Sequence, residues 1–351
     1  MRLWVYIIRR LLLLIPTLIG LTFIVFILSH VSGTNVILSE YISPKLTGAA
    51  RQILVQQLTN QFHLNQPIYI QYFYWLWQIL QGNWGVTNTP IFSGQVNTAI
   101  ALFLPNTLMI SVVASILIWV IGVPLGVYSA VNRDSPADHT LRIGSFTLYA
   151  MPIYLIGIVL ILLVGVYLKI LPFSGVVNPV SVSSASWYIN GISYPTHIIL
   201  IDAIIHGAWG IAGDAFLHLI LPSVTLALAI VASMIRILRS SMLEVLDQDY
   251  IRLARSKGIS ERSVINLHAR KNALLPVITL FGYTVAGLLG GAVVVETIFN
   301  YPGIGYWTTQ ALLVSDIGGI MSAALLFGLI LMFANLIVDI VYALVDPRIR
   351  Y

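Results

Sequence analysis

Leu11–Leu28 reads LLLLIPTLIGLTFIVFIL, eighteen residues without a charged side chain, directly after Arg9 and Arg10. A hydrocarbon core of about 30 Å takes about 20 apolar residues in a helix, so this run is of spanning length. Five more uncharged stretches resemble it: Leu108–Ala130, Ile143–Leu168, Leu219–Ile235, Ala273–Val295 and Ile317–Val338, the last running on to Leu344 past Asp339. None alternates apolar and polar residues as a membrane barrel strand does, so each predicts a helix. The expected fold is an all-α integral membrane domain with six transmembrane helices.

The composition agrees. Hydrophobic residues make up 58% of the 351, charged residues only 9%, and cysteine is absent. A soluble domain carries roughly a quarter charged residues, so a soluble enzyme and a disordered chain are both excluded. Without cysteine there are no disulfides, thiolate metal sites or thiol nucleophiles. The excess of 18 Lys+Arg over 13 Asp+Glu is too small to suggest nucleic acid.

Two shorter apolar stretches are not expected to span. Ile68–Leu80 (IYIQYFYWLWQIL) is rich in Tyr and Trp, as a helix lying at the membrane surface is. Ile198–Ile205 carries Asp202 and reads as re-entrant or interfacial. With both termini in the cytoplasm, the inner segments hold Arg2, Arg9, Arg10, Arg133, Arg142, the eight basic residues from Arg236 to Lys271, Arg348 and Arg350. Only Lys45, Arg51 and Lys169 fall outside, which is the positive-inside pattern of a multi-pass protein of the cell membrane. The first run is longer than a signal-peptide core and reads as an uncleaved anchor. Residues 31–104 and 169–216 are then extracytoplasmic insertions, and 236–272 is a cytoplasmic segment.

That inner segment reads as structure. Asp249 can cap a helix starting at Tyr250, with Tyr250, Leu253 and Ala254 on one face at i, i+3, i+4. Arg255 and Lys257 suit its C-terminal dipole, and Gly258 sits where a C′ glycine ends a helix. Ser260 can cap a second helix leading to Pro276. A short amphipathic helix of this kind can dock in a partner's groove; the alternative is a plain basic loop.

Small residues recur every fourth position at Gly282, Ala286 and Gly290, and Gly122 and Gly126 flank Pro124. Such faces allow close helix approach, either within the chain or against a second subunit. Glu296 lies at the outer end of the fifth span, where it can line an outer gate or stabilise the turn beside Pro302 and Gly303. Asp339 is expected to pair with inner arginines. The seven histidines show no metal-ligand spacing, so no metal is expected. No mid-span position holds an acid, which counts against an ion-gradient-driven transporter.

Asp249–Gly258 (DYIRLARSKG), followed by Arg270–Pro276 (RKNALLP), resembles the cytoplasmic signature of permease subunits of ATP-binding-cassette importers, in the dipeptide/oligopeptide/nickel group. Of the general signature E-A-A-x-x-x-G, Ala254 and Gly258 match and Arg252 and Leu253 depart. Val293–Gly305 (VVVETIFNYPGIG), Asn335–Arg350 and Gln66–Gly85 are similar to other stretches of that group. The resemblance implies a type I importer permease fold. It implies pairing with an identical or different second permease, two cytoplasmic ATPase subunits and an extracytoplasmic solute-binding protein. Asp249, Tyr250, Arg252, Leu253, Ala254, Arg255, Lys257 and Gly258 would then form the ATPase-coupling helix. The chain lacks a G-x-x-x-x-G-K-[ST] phosphate loop, so it is expected to bind no cofactor itself, ATP and Mg residing on partners. Short peptides are the expected cargo, with oligosaccharides and nickel chelates as alternatives.

Overall fold

The computed structural model describes residues 3–31, 38, 41–42, 46–189 and 191–345. Arg2, Lys45, Arg348 and Arg350 lie outside the described residues, as does the side chain of Ala286. Helices α1 (Leu3–Val31), α2 (Gly48–Gln61) and α3 (Ile68–Leu80) precede a hairpin of β1 (Val86–Thr89) and β2 (Phe92–Gln95), paired from Val86↔Gln95 to Thr89↔Phe92. Helix α4 (Val96–Leu117) passes through a π-helical turn at Ile118–Gly122 into α5 (Val123–Val131). Helices α6 (Pro136–Ala150) and α7 (Ile153–Leu160) follow, α7 extended by a π-helical turn to Tyr167. Next come α8 (Pro179–Val182), the short strands β3 (Tyr188–Ile189) and β4 (Ile192–Ser193), and α9 (Ile199–Ile205). The remainder is α10 (Trp209–Leu246), α11 (Asp249–Ser256), α12 (Glu261–Ser263), α13 (Arg270–Ile298), α14 (Ile304–Leu313) and α15 (Ile317–Val345).

Among the described residues, four helical stretches are long and apolar enough to cross a bilayer: Ile7–His30, Val96–Val131, Trp209–Leu246 and Ile317–Ile340. Helices α6 and α7 pass the same test as a pair bent by 109°. The expected third span, Ile143–Leu168, is therefore not one straight helix. Pro152 has no N–H and disfavours the helical region for the residue before it; Met151 accordingly sits at φ −80°, ψ 131° and ends α6. The helix that holds the second expected span begins earlier, at Val96 rather than Leu108. Asn106 and Thr107 interrupt the hydropathy but not the helix, since both bond outward to another segment: Asn106 Nδ2 donates to the Pro302 carbonyl at 2.9 Å, and Thr107 Oγ1 accepts from Ile304 N at 2.8 Å. Helix α13 covers the fifth expected span in one piece.

Helix α10 is the centre of the packing. Its 38 residues extend about 57 Å, well beyond a hydrocarbon core. Leu226, Val231 and Leu238 are buried in the main cluster, against residues of α4, α5, α7 and α13. In lipid, helix association rests on close packing rather than on expulsion of water. Gly126 supplies that closeness, since a Cβ there would stand 3.0 Å from the Leu238 side chain.

The outlying helices are tied by polar contacts. Arg10 Nη1 lies 2.9 Å from Asp339 Oδ2, joining α1 to α15 as an Asp–Arg pairing predicts. The aromatic helix α3 packs along α1, with Tyr72 Oη and Thr22 Oγ1 at 2.9 Å and His30 Nε2 and Gln71 Oε1 at 2.9 Å. Asp316 caps α15 through Gly319 N at 3.3 Å, and its other carboxylate oxygen accepts from Asn88 N at 3.0 Å and from Thr87 Oγ1. The β1–β2 hairpin is thereby clasped to the start of α15.

Candidate coupling helix and the glutamate-held turn

After α10 ends at Leu246, Gln248 in extended geometry starts α11, its carbonyl accepting from Ile251 N at 3.0 Å and Arg252 N at 3.2 Å. The cap is thus Gln248, one residue before the expected Asp249. Asp249 instead occupies the first turn, where its charge suits the helix dipole. The C-terminus closes as a Schellman motif: Ile259 N donates to the Ala254 carbonyl at 3.3 Å and Gly258 N to that of Arg255 at 3.0 Å. Gly258 carries the required left-handed φ of +75°.

The faces of α11 differ from the expected grouping. Ile251 and Ala254, spaced i, i+3, are buried in the main cluster with Val264 and Met242. Tyr250 and Leu253, about 100° round the helix from them, are 42% and 55% exposed. Ala254 is thus part of the root of the helix and does not share the outward face. Ile251, the most apolar residue of the helix, fixes its rotation. Asp249, Arg252, Arg255, Lys257 and Gly258 are exposed.

Two contacts set the angle at which α11 is held. Arg255 makes a forked pair with Glu261 beyond the turn, with Nη2–Oε1 at 2.7 Å and Nε–Oε2 at 3.1 Å. The guanidinium's hydrogen bonds hold the Glu261 carboxyl below the usual glutamate range. Tyr250 Oη accepts from Asn272 Nδ2 at 2.9 Å, tying α11 to the start of α13. Ser260 precedes α12, but its hydroxyl bonds to Ser263 Oγ rather than to a helix N–H.

A buried network not anticipated from the sequence lies nearby. Asp138, fully buried at the start of α6, accepts from Arg239 of α10 through Nε at 2.8 Å and Nη2 at 2.7 Å. It also accepts from Ser129 Oγ and from Asp134 N, the latter at 3.0 Å. Ser135 Oγ accepts from Asp138 N at 3.1 Å. The available signal was Ser135-Pro136-Ala137-Asp138, an N-cap residue followed three positions later by an acid.

At the far end of α13, Glu296 is fully buried and its Oε2 accepts from Tyr306 N at 2.9 Å, in the first turn of α14. A carboxylate there faces the positive end of the helix dipole. Its backbone carbonyl accepts from Tyr301 N at 2.8 Å, and Gly303 N donates to the Tyr301 carbonyl at 2.7 Å. A Cβ on Gly303 would overlap the Glu296 carboxylate. With Asn106 bonded to Pro302, the structure brings Glu296, Pro302 and Gly303 into one compact turn.

The small residues separate into two groups. A Cβ on Gly122 would stand 2.7 Å from Met234 Sδ, and one on Gly282 2.7 Å from Val338 Cγ1, so these positions and Gly126 serve packing within the chain. Gly290 has nothing within 4 Å. No cluster of metal-ligating side chains occurs among the described residues.

Comparison with known proteins agrees with this architecture. The family described as "Binding-protein-dependent transport system inner membrane component" matches residues 122–351. The dipeptide transport system permease protein DppB of Escherichia coli strain K12 is 37% identical, over 99% of this chain and 98% of its own length. The oligopeptide transport system permease protein AppB of Bacillus subtilis strain 168 is 37% identical, over 99% of both chains. The di/tripeptide transport system permease protein DppB of Pseudomonas aeruginosa strain UCBPP-PA14 is also 37% identical, over 99% of this chain and 98% of its own. With the family matched over most of its length and these relatives over nearly all of it, the chain belongs to the inner-membrane permease components of binding-protein-dependent, ATP-binding-cassette transport systems.

Proposed function

We propose that this chain is one half of the translocation pathway of an ATP-driven importer of short peptides. It carries no catalytic site; ATP and Mg are bound and used by two partner ATPase subunits on the cytoplasmic side. A second permease completes the pathway, and an extracytoplasmic binding protein delivers the solute. The six spans are α1, α4–α5, the bent pair α6–α7, α10, α13 and α15, with both termini in the cytoplasm.

The observation that carries the reading is the orientation of α11. A helix of eight residues, rooted by Ile251 and Ala254, turns Tyr250 and Leu253 outward amid basic residues. Apolar side chains presented by a capped, rigid helix suit a groove on a partner. In this reading Tyr250, Leu253, Arg252 and Lys257 meet the ATPase, while Arg255 and Gly258 keep the helix at its angle. Conformational energy reaches the pathway through that contact, as linked sites require. The turn at Glu296, Pro302 and Gly303 braces the outer gate rather than facing the solute. The open face of α13 at Gly290 meets the second permease.

The test is ATP-driven uptake of a labelled dipeptide into liposomes holding the assembled complex, supplied with its binding protein. Uptake that needs ATP and every subunit is the expected result. Uptake by this chain alone, driven by a proton or sodium gradient, would overturn the proposal.

A further inference from the structure

Helices α6 and α10 enclose a groove of about 670 Å³, within the roughly 300–1,000 Å³ of small-molecule sites. Its lining is divided between apolar Ile143, Phe146 and Ile235 and the polar groups of Arg142, Arg236 and Ser240. Ile143 and Phe146 are 69% and 70% exposed. Among the described residues, neither Arg142 nor Arg236 has an acidic partner, whereas the adjacent Arg239 is held by Asp138. The Arg236 guanidinium instead rests 4.3 Å from the centroid of the Tyr149 ring.

The break between α6 and α7 decides what this groove faces. Pro152 offers no N–H, so the carbonyl of Leu148 loses its i+4 donor, and the helix after it turns away by 109°. Interrupted backbone at membrane depth is tolerated only when buried in protein or lining a water-filled cavity. Tyr149 and Ala150, just before the break, are exposed within this chain. The Arg236 guanidinium, resting on Tyr149 just before the break, likewise belongs beside water, not hydrocarbon. An aqueous space beside the exposed face of α6 meets both demands.

We infer that this groove is the cytoplasmic half of the solute pathway, and that Arg142 and Arg236 engage the carboxylates of the passing peptide. The inference rests on the peptide-importer reading above. A linear peptide ends in a carboxylate, and the planar guanidinium fork matches that group in two hydrogen bonds. Tyr149 stacks on Arg236 and limits its swing. Ile143 and Phe146 offer apolar surface to peptide side chains without selecting among them. Because both arginines stay hydrated, each contact is weak enough to release, as a conducting path demands.

The experiment uses the assembled importer in liposomes with its binding protein, and three labelled dipeptides of net charge about −1, 0 and +1. Uptake by Arg142→Gln, Arg236→Gln and the double variant is expressed relative to wild type for each peptide, which removes the binding protein's own preference. The expected result is a graded loss, with the acidic peptide falling about fivefold further than the basic one in the double variant, as exposed charge pairs allow. Arg142→Lys with Arg236→Lys should restore much of the grading. Arg133→Gln, at an exposed pair with Asp134, is the control and should change nothing. Equal loss for all three peptides would overturn the inference, since a structural role moves them together. Loss of the second permease on purification would overturn it by making the groove a subunit interface. Unchanged uptake with an altered requirement for anionic lipid would overturn it in favour of a lipid contact. No ATP-driven uptake by wild type would overturn the importer reading and this inference together.

Discussion

Arg255 and Glu261 face each other across the Gly258 turn, joined by two parallel hydrogen bonds at 2.7 and 3.1 Å. Both side chains are partly exposed, so the pair contributes only about 0.2–1 kcal/mol. Its value is geometric, since it fixes α11 relative to the segment leading into α13. Arg255→Glu sets two carboxylates against each other, and retention of the ATPase subunits on co-purification is expected to fall severalfold. The exchanged pair Arg255→Glu with Glu261→Arg should recover most of that retention. Arg252→Glu, whose contact with Asp249 is long at 3.5 Å, should weaken retention without being rescued by changes at Glu261.

The same pair predicts a pH response. Glu261 has a folded-state pKa below its ordinary 4.5. A carboxylate depressed on folding contributes above the unfolded pKa and ceases to contribute as pH falls through the folded one. Partner retention by wild type should be flat from neutral pH to about 5 and decline below that. In Glu261→Gln the component due to this group should vanish, which parallel titrations of co-purification would read.

Gly258 is needed for its backbone. At φ +75° a residue with a Cβ is strained by roughly 1–2 kcal/mol, and more when β-branched. Gly258→Val should insert normally and leave the amount of complex in the membrane nearly unchanged. Solute-stimulated ATPase activity should drop about tenfold as α11 loses its cap. Gly258→Asn, which tolerates the left-handed region, should retain most of it.

Gly303 is needed for space. Gly303→Val would drive a side chain into the Glu296 carboxylate, and Glu296→Ala would leave Tyr306 N without its acceptor. An orphaned buried donor costs about 1–3 kcal/mol. Both variants should lower the melting temperature of the detergent-solubilised complex, measured by fluorescence-detected size exclusion. Glu296→Gln keeps an acceptor and should be the mildest of the three.

Asp138→Ala removes the partner of a guanidinium that is only 17% exposed. Breaking a buried pair from one side costs about 3–5 kcal/mol. Membrane yield of the single variant should fall strongly, and Asp138→Ala with Arg239→Ala should be less damaging than the sum of the two. Additive losses would show that the two residues act separately.

Most of the helices were legible because lipid imposes long uncharged runs, as at Leu11–Leu28 and Ala273–Val295. The C′ glycine of α11 was legible for a local reason, the conformational freedom of Gly258. What stayed hidden depended on distant residues. Nothing in LMISVVASIL announces that Asn106 and Thr107, just before it, prolong the helix by bonding to Pro302 and Ile304. The break at Met151 was readable from Pro152, but hydropathy averages over a single proline. The rotation of α11 was decided by Ile251 joining the main buried cluster, which also holds Val264 and Met242, and helical spacing within eight residues cannot supply that.

Helix α10 passes through Pro222 without interruption from Trp209 to Leu246. In the proposed importer, a displacement of the end beside Asp249 is carried along this one helix, past the tight seam at Gly126 and Leu238, to its opposite end. On that proposal, opening on one side of the bilayer and closing on the other would be a single mechanical event.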